Sequence, residues 1–245
     1  MPARFFIDRP LRADESFSLP APVARHVQVL RLQPGAAIVL FDGAGGEWSA
    51  TVLQMGRSEV SVRLGARTEV DRELPLAVTI ALGMPANERM DAVIEKATEL
   101  GASVIQPLVC ERSVLRLAGE RAQKKVAHWQ AVALAACEQS GRTRVPRVAA
   151  VCGLAEWLLF LPPDESAARW MLSLGESRSI ASMPRPARAV VCLSGPEGGL
   201  APAEEAAARA AGFAPVSLGP RVLRADTAPL ALLAHLALTC SGASA

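Results

Sequence analysis

No stretch of this 245-residue chain supplies the about 20 consecutive apolar residues that a membrane-spanning helix needs. The longest apolar stretches, Trp157 to Leu161 and Leu230 to Leu238, are too short, and the second carries His235. Paired cysteines are missing too. Cys110, Cys137, Cys152, Cys192 and Cys240 are odd in number, widely spaced and free of any C-x-x-C pair, so neither a disulfide framework nor a zinc site is indicated. They read as reduced, mostly buried small side chains. Net charge is nearly absent: 26 Lys and Arg face 24 Asp and Glu, for +2 overall, and no global field marks the chain for nucleic acid, membrane or an acidic partner. Any basic surface has to be local. The first ten residues, Met1 to Pro10, lack the apolar run of about 7–15 residues found in secretory signals, and the expectation is a cytoplasmic protein. What the chain does have is apolar content, 51% hydrophobic, enough to bury a core without disulfides and to exclude disorder as its main state.

The first 70 or so residues read as short strands broken by turns: Arg4 to Ile7, Ala37 to Phe41, Glu47 to Leu53 and Glu59 to Leu64, with Pro34-Gly35 and Asp42 to Gly46 as turn chemistry. Polar and apolar residues alternate from Glu59 to Leu64, as in a half-buried antiparallel strand, and the spacing suits a small barrel. His26 to Arg31 lies between strands and suits a short helix ending near Pro34. After the polar stretch Arg67 to Glu73 the rhythm changes, and a domain boundary is placed there. Ala77 to Leu82 reads as a buried strand. Asn87 is a candidate cap for a helix whose apolar positions Met90, Val93, Ile94, Ala97 and Leu100 follow the 3.6-residue period, closed by Gly101. Val104 to Val109 is the next strand, Glu120 to Ser140 a long helix, and Trp170 to Leu174 another buried strand. Strand, helix, strand, helix implies an α/β domain with a mostly parallel sheet.

Charge is unevenly placed. Nine basic and nine acidic residues balance in the first 74, but Arg112 to Arg147 carries eight Lys or Arg against Glu120 and Glu138. A charge run of this kind is most often a solvated helix face. Its continuation into Gln139-Ser-Gly-Arg-Thr-Arg144 makes phosphate contact a competing reading.

The most informative segment is a buried-type strand, Ala189 to Leu193, running into Ser194-Gly-Pro-Glu-Gly-Gly199 and then an Ala/Glu-rich helix ending at Gly212. Strand, glycine turn and helix make a ligand cradle, because glycine permits positive φ and close backbone approach. A ligand-free βα turn is the plain alternative. The spacing matches neither a dinucleotide fingerprint nor a P-loop. A second loop, Pro220-Arg-Val-Leu-Arg-Ala-Asp-Thr-Ala228, follows the short strand Val216 to Gly219 and leads into an apolar helix that Asp226 or Thr227 can cap. Two such loops at strand ends are where open α/β sheets bind ligands.

These residues carry a family resemblance. Leu193-Ser-Gly-Pro-Glu-Gly-Gly-Leu200 with Leu218-Gly-Pro-Arg-Val-Leu-Arg-Ala-Asp-Thr-Ala228 closely resembles the RsmE family, bacterial methyltransferases that act on N3 of a uridine in 16S ribosomal RNA. Arg4-Phe-Phe, His26 to Arg31, Asp42-Gly43, Glu88 to Gly101, Glu111-Arg-Ser113 and Glu138 to Arg142 extend the likeness over nearly the whole chain. The resemblance implies a PUA-like RNA-binding β-barrel over residues 1–73 and a SPOUT-type α/β methyltransferase domain over 74–245, with a trefoil knot that topology rules alone would argue against, and a homodimer. It implies S-adenosylmethionine at Leu193, Gly195, Pro196, Glu197, Gly198, Gly199, Leu218, Gly219, Leu223 and Arg224. Gly195, Gly198 and Gly219 are the positions where a Cβ is expected to obstruct the ligand. Two departures stand out. Asp226 replaces the family's usual Glu, and Ala201 replaces a common hydroxyl cap, which should weaken the following helix start.

Methylating uridine N3 requires removal of its proton and stabilisation of charge spreading onto O2 and O4. Candidate cations are Arg142, Arg221 and Arg224, and candidate proton acceptors are Glu138, Glu197 and Asp226, with no choice among them from the sequence. His26, His128 and His235 read as structural or exposed. RNA contact is expected of Arg4, Arg31, Arg112, Lys124, Lys125, Arg142 and Arg144, with small-subunit ribosomal RNA as partner and no membrane. The rival readings are a related enzyme acting on a ribose hydroxyl or another RNA, and an RNA-binding protein without catalysis.

Overall fold

The computed structural model describes residues 2–57, 59–162, 166–175 and 177–240. The chain divides into two compact units, Met1–Glu73 with Cys137–Val145, and Leu74–Ala136 with Pro146–Ala245.

The first unit contains β1 (Ala3–Phe6), β2 (Ser16–Ser18), α1 (Ala21–Val29), β3 (Ala37–Phe41), β4 (Glu47–Met55) and β5 (Val60–Thr68). Its five-stranded sheet runs β1-β3-β4-β5-β2, parallel only between β1 and β3. The alternation seen in the sequence puts Val60, Val62 and Leu64 on the inner face of β5, where they join Phe5, Ile38, Leu40 and Val52 in one core. The α1 helix starts five residues before His26, because Pro22 suits a first helical turn, and buries Ala24 and Val27. It ends at Val29, and Arg31 turns away with φ 54°.

The first unit breaks off at Glu73, where the sequence places a boundary, but it also takes in Cys137–Val145, which the sequence assigns to the second domain. Polar bonds explain it. The Arg142 guanidinium ion-pairs with Glu73, Arg4 Nη2 donates to the Gly141 and Arg142 carbonyls at 3.1 and 3.2 Å, and the Glu138 carboxylate accepts the Phe6 N–H at 2.9 Å. Burial pushes the Glu138 carboxyl up, and the Phe6 N–H opposes that shift. Arg4 also pairs with Glu47; burial alone would raise that carboxyl, but hydrogen bonds from Arg4 and Arg72 outweigh it and hold it below the usual range.

Because Arg142 is only 3% exposed, removing it strands a mostly buried carboxylate on Glu73. Arg142→Ala is therefore expected to destabilise the protein by about 3–5 kcal/mol, read from urea unfolding. A change near zero would mean that the pair contributes nothing.

The second unit holds β6 (Ala77–Gly83), α2 (Asn87–Glu99), β7 (Val104–Val109), most of α3 (Gly119–Ser140), β8 (Arg147–Val148), β9 (Cys152–Gly153), α4 (Leu154–Leu159), β10 (Ala167–Leu172), β11 (Arg178–Ser179), β12 (Ala189–Ser194), α5 (Pro202–Ala210), β13 (Ala214–Ser217) and α6 (Thr227–Cys240). The sheet runs β11-β13-β10-β12-β6-β7-β8, with β9 also beside β7, and every described pairing is parallel. The α2 periodicity is realised: Met90, Val93, Ile94 and Ala97 are buried against the sheet. Ala86, not Asn87, occupies its cap position. Gly101 follows at φ +99°, and a Cβ there would meet Leu74 Cγ at 2.7 Å. On α3, Trp129 and Ala133 are fully buried, and both Trp129 Nε1 and His128 Nε2 bond the Asp91 carboxylate, at 2.9 and 2.7 Å. All five cysteines are free thiols, and burial pushes Cys110 and Cys192 up to about 12. No helix among the described residues is long and apolar enough to cross a membrane.

Candidate active site

At the carboxyl ends of β10, β12 and β13 lies a cleft of about 630 Å³, within the ~300–1,000 Å³ typical of ligand sites. The glycine turn after β12 forms one wall. A Cβ on Gly195 would sit 2.8 Å from Leu200 N and 2.9 Å from Gly199 C, so the turn closes on itself only because that residue has none. Gly199 takes φ +69° and donates its N–H to the Pro196 carbonyl at 2.8 Å. Pro196 fills the space where Gly83, at the end of β6, would otherwise carry a Cβ: its ring Cδ lies 2.5 Å from that position. The turn is thereby seated directly on the sheet.

Two side chains brace it. Arg112 Nη1 donates to the Gly198 and Leu200 carbonyls at 3.0 and 3.3 Å. Glu204 accepts the Ala201 N–H at 2.9 Å and the Glu111 N–H at 2.8 Å. The Glu204 bond is the carboxylate half of a capping box, so the helix start is held although Ala201 offers no hydroxyl. The opposite wall is the loop after β13, where Gly219 has φ +115° and donates to Ser217 Oγ at 3.2 Å.

Leu172, Leu174, Leu218, Val222 and Leu223 give the cleft an apolar lining, and Arg89, Arg112, Arg221 and Arg224 face it along with Glu197 and Glu205. The Arg221 and Arg224 guanidinium groups are exposed and make no hydrogen bond or ion pair among the described residues. Glu197 accepts the Ala86 N–H at 3.2 Å. Arg89, from the first turn of α2, lies 3.9 Å from Glu197 and 4.0 Å from Asp226.

The structure gathers Gly195, Pro196, Glu197, Gly198, Gly199, Leu218, Gly219, Arg221, Leu223 and Arg224 around this one cleft. Others fall elsewhere. Leu193 is fully buried beneath it with Ala81, Leu108 and Met171, so its side chain supports the floor and does not line the cleft. Asp226 sits at the edge, reached through Arg89. Glu138 and Arg142 lie in the first unit, where Glu138 accepts the Phe6 N–H and Arg142 pairs with Glu73. Arg112 braces the glycine turn where an RNA contact was expected. Arg4 and Arg142, both expected at RNA, are buried and paired with Glu47 and Glu73. Arg31, Lys124 and Arg144 are exposed and Lys125 is half-buried; Lys124 pairs with Glu120 at 2.7 Å along the helix. In the first unit Arg144 and Arg67 border a smaller hollow of about 280 Å³ beside Gly45 and Gly46.

Sequence reasoning missed Arg89, Glu205, Leu172 and Leu174 as lining residues. Leu174 was hidden by a strand reading that ran two residues too far: β10 stops at Leu172, and the chain then turns into the cleft wall. Arg89 belongs to the Glu88 to Gly101 block that carries the resemblance, and the α2 periodicity sets it off the buried face next to Met90; that position was the only signal that could have found it.

A parallel α/β sheet whose glycine loops close an arginine-lined cleft at its carboxyl edge defines an enzyme-type ligand site. A family model described as an RNA methyltransferase domain matches residues 72–237, and one described as an RNA methyltransferase PUA domain matches residues 19–65. The chain belongs to the RsmE family of RNA methyltransferases, with a SPOUT-type α/β domain and an N-terminal PUA-like domain. It is 36% identical to the ribosomal RNA small subunit methyltransferase E of Synechocystis over 85% of this chain and 68% of that one. Against the Bacillus subtilis protein of the same name it is 32% identical, with 95% of both chains covered. Among solved structures, the Neisseria gonorrhoeae ribosomal RNA small subunit methyltransferase E bound to S-adenosyl methionine superposes with a TM-score of 0.91 at 36% identity, covering 96% of this chain and 97% of that one.

Proposed function

We propose that this protein transfers a methyl group from S-adenosylmethionine to N3 of a uridine in small-subunit ribosomal RNA. The observation that carries the reading is the cleft itself: a turn closed by Gly195, seated by Pro196 and braced by Arg112, facing two arginines without partners among the described residues. The relatives are named ribosomal RNA small subunit methyltransferase E, and one solved relative holds S-adenosyl methionine.

The cleft fits that cofactor. Its apolar lining suits an adenine ring, and the exposed backbone of the two glycine loops suits hydrogen bonding to polar edges. Gly195 to Gly199 and Leu218 to Leu223 are the segments that would hold it. When bound, S-adenosylmethionine supplies an electrophilic methyl group on a sulfonium. The protein's own tasks are to orient the uracil, take up the N3 proton and stabilise charge on O2 and O4. Arg221 and Arg224 are suited to the last task, because unpartnered guanidinium forks match a carbonyl edge. Glu197 and Glu205 in the cleft, and Asp226 at its edge, are the carboxylates in place to accept the proton. A paired uridine presents N3 to its partner base, so the target must be unstacked or flipped.

RNA contact would involve the first unit, with Arg31 and the Arg144 hollow, and the exposed face of α3. A second copy of the chain fits α6, where only Thr227, His235 and Thr239 are polar and Leu238 is 82% exposed. The compartment would be the cytoplasm, where small subunits are assembled.

Titration calorimetry with S-adenosylmethionine tests the reading: saturable binding of one cofactor per chain is expected, and no binding would contradict it. A second measurement addresses RNA. Reversing Lys124 and Lys125 to Glu should weaken RNA binding and flatten the slope of log affinity against log salt by about 0.7–0.9 for each phosphate that is no longer neutralised. An unchanged slope would make that helix face a solvated surface only.

A further inference from the structure

Glu197 and Asp226 stand on different loops of the cleft, the turn after β12 and the loop before α6, and neither has a cationic partner among the described residues other than Arg89. Nη1 of Arg89 lies 3.9 Å from Glu197 Oε1, and its Nε lies 4.0 Å from Asp226 Oδ2. One guanidinium thus stands between two carboxylates. Its base is fixed, because the next residue, Met90, is fully buried and anchors the first turn of α2. Glu197 is tied to the same place through the Ala86 N–H, which belongs to the cap residue of that helix. The separations are those of ion pairs without a direct hydrogen bond, so the cation can hold both loops while each keeps some freedom to adjust. Without it, two like charges at the cleft would be left uncompensated and the loops would be driven apart.

We infer that Arg89 is a positioning residue that couples the glycine turn to the 220–226 loop and so pre-assembles the cofactor cleft. This deepens the proposed function and rests on its reading of the cleft as the S-adenosylmethionine site. Each pair is partly exposed, so the expected effect is moderate: about a tenfold loss of cofactor affinity in Arg89→Ala.

The test is calorimetry with S-adenosylhomocysteine on the full chain and on Arg89→Ala, Arg89→Lys, Asp226→Asn and the Arg89→Ala/Asp226→Asn double variant, at low and high salt. Expected are the tenfold loss in Arg89→Ala, shrinking at high salt, partial rescue by lysine, and a double variant no weaker than Arg89→Ala. In Arg89→Ala the KM for S-adenosylmethionine should rise in parallel, while kcat changes by less than about threefold. Losses that multiply in the double variant, or a fall confined to kcat, would overturn the positioning role in favour of direct contact with cofactor or substrate. Unchanged affinity in Arg89→Ala, with the parent binding normally, would overturn the inference alone; a parent that binds no cofactor would overturn the reading beneath it.

Discussion

Gly195→Val is expected to lower S-adenosylmethionine affinity by at least about 100-fold, roughly 2.7 kcal/mol, in a protein whose unfolding midpoint stays close to the parent's. The Cβ this substitution adds would lie 2.8 Å from Leu200 N and 2.9 Å from Gly199 C, both backbone atoms that cannot rotate aside. Relief requires opening the turn, and the turn is the cleft wall. The other two glycines differ. At Gly198 the nearest atom is Arg112 Cβ at 3.0 Å, a looser approach than at Gly195, so Gly198→Val should cost less. At Gly219 nothing lies within 4 Å, and only the φ of +115° resists a side chain. All three were expected to obstruct the ligand; at Gly195 the obstruction is to the protein's own backbone. Calorimetry on the three variants should rank them with Gly195 most severe, and equal losses would show that steric closure of the turn is not what matters.

Arg224→Ala is expected to slow methyl transfer by about 10²–10³, the usual cost of one charge-stabilising donor, with cofactor affinity little altered. Four arginines face the cleft, but Arg112 is committed to the Gly198 and Leu200 carbonyls and Arg89 to two carboxylates. Arg221 and Arg224 remain without partners among the described residues, which leaves their charge available to a uracil ring that is losing its N3 proton. Arg224 also lies at the helix start: its carbonyl accepts the N–H groups of Thr227 and Ala228, each at 2.9 Å, so its backbone is fixed beside the cleft. Single-turnover transfer to ribosomal RNA checks this. Parental rates in both Arg221→Ala and Arg224→Ala would remove the arginines from the chemistry.

The parts of this molecule that are legible in its sequence are those where local pattern and tertiary outcome obey one rule. Strand alternation at Val60, Val62 and Leu64, the α2 spacing of Met90, Ile94 and Ala97, and the glycine turn after β12 each encode their burial or geometry within a few residues. What the local pattern does not show is a side chain's partner that is remote in sequence. Arg142 and Glu138 read as separate catalytic candidates because the motif around them is polar and matches the family, and the structure gives them partners in Glu73 and the Phe6 N–H, 69 and 132 residues away. Arg4 and Arg112 read as RNA-contacting cations, and the structure gives the buried Arg4 a partner in Glu47 and the exposed Arg112 one in the Gly198 carbonyl. Leu193, part of the matching motif, points into the core because strand alternation continues to the last residues before the turn.

The position of the methyl group is the most direct test of the proposed activity. The purified chain, small-subunit ribosomal RNA, free or in assembled subunits, and isotopically labelled S-adenosylmethionine are incubated, and the RNA is digested to nucleosides and resolved by mass spectrometry against standards. Label in 3-methyluridine from a single site is the predicted result. Label on a ribose oxygen or on another base, or no incorporation by a protein that binds the cofactor, would contradict it.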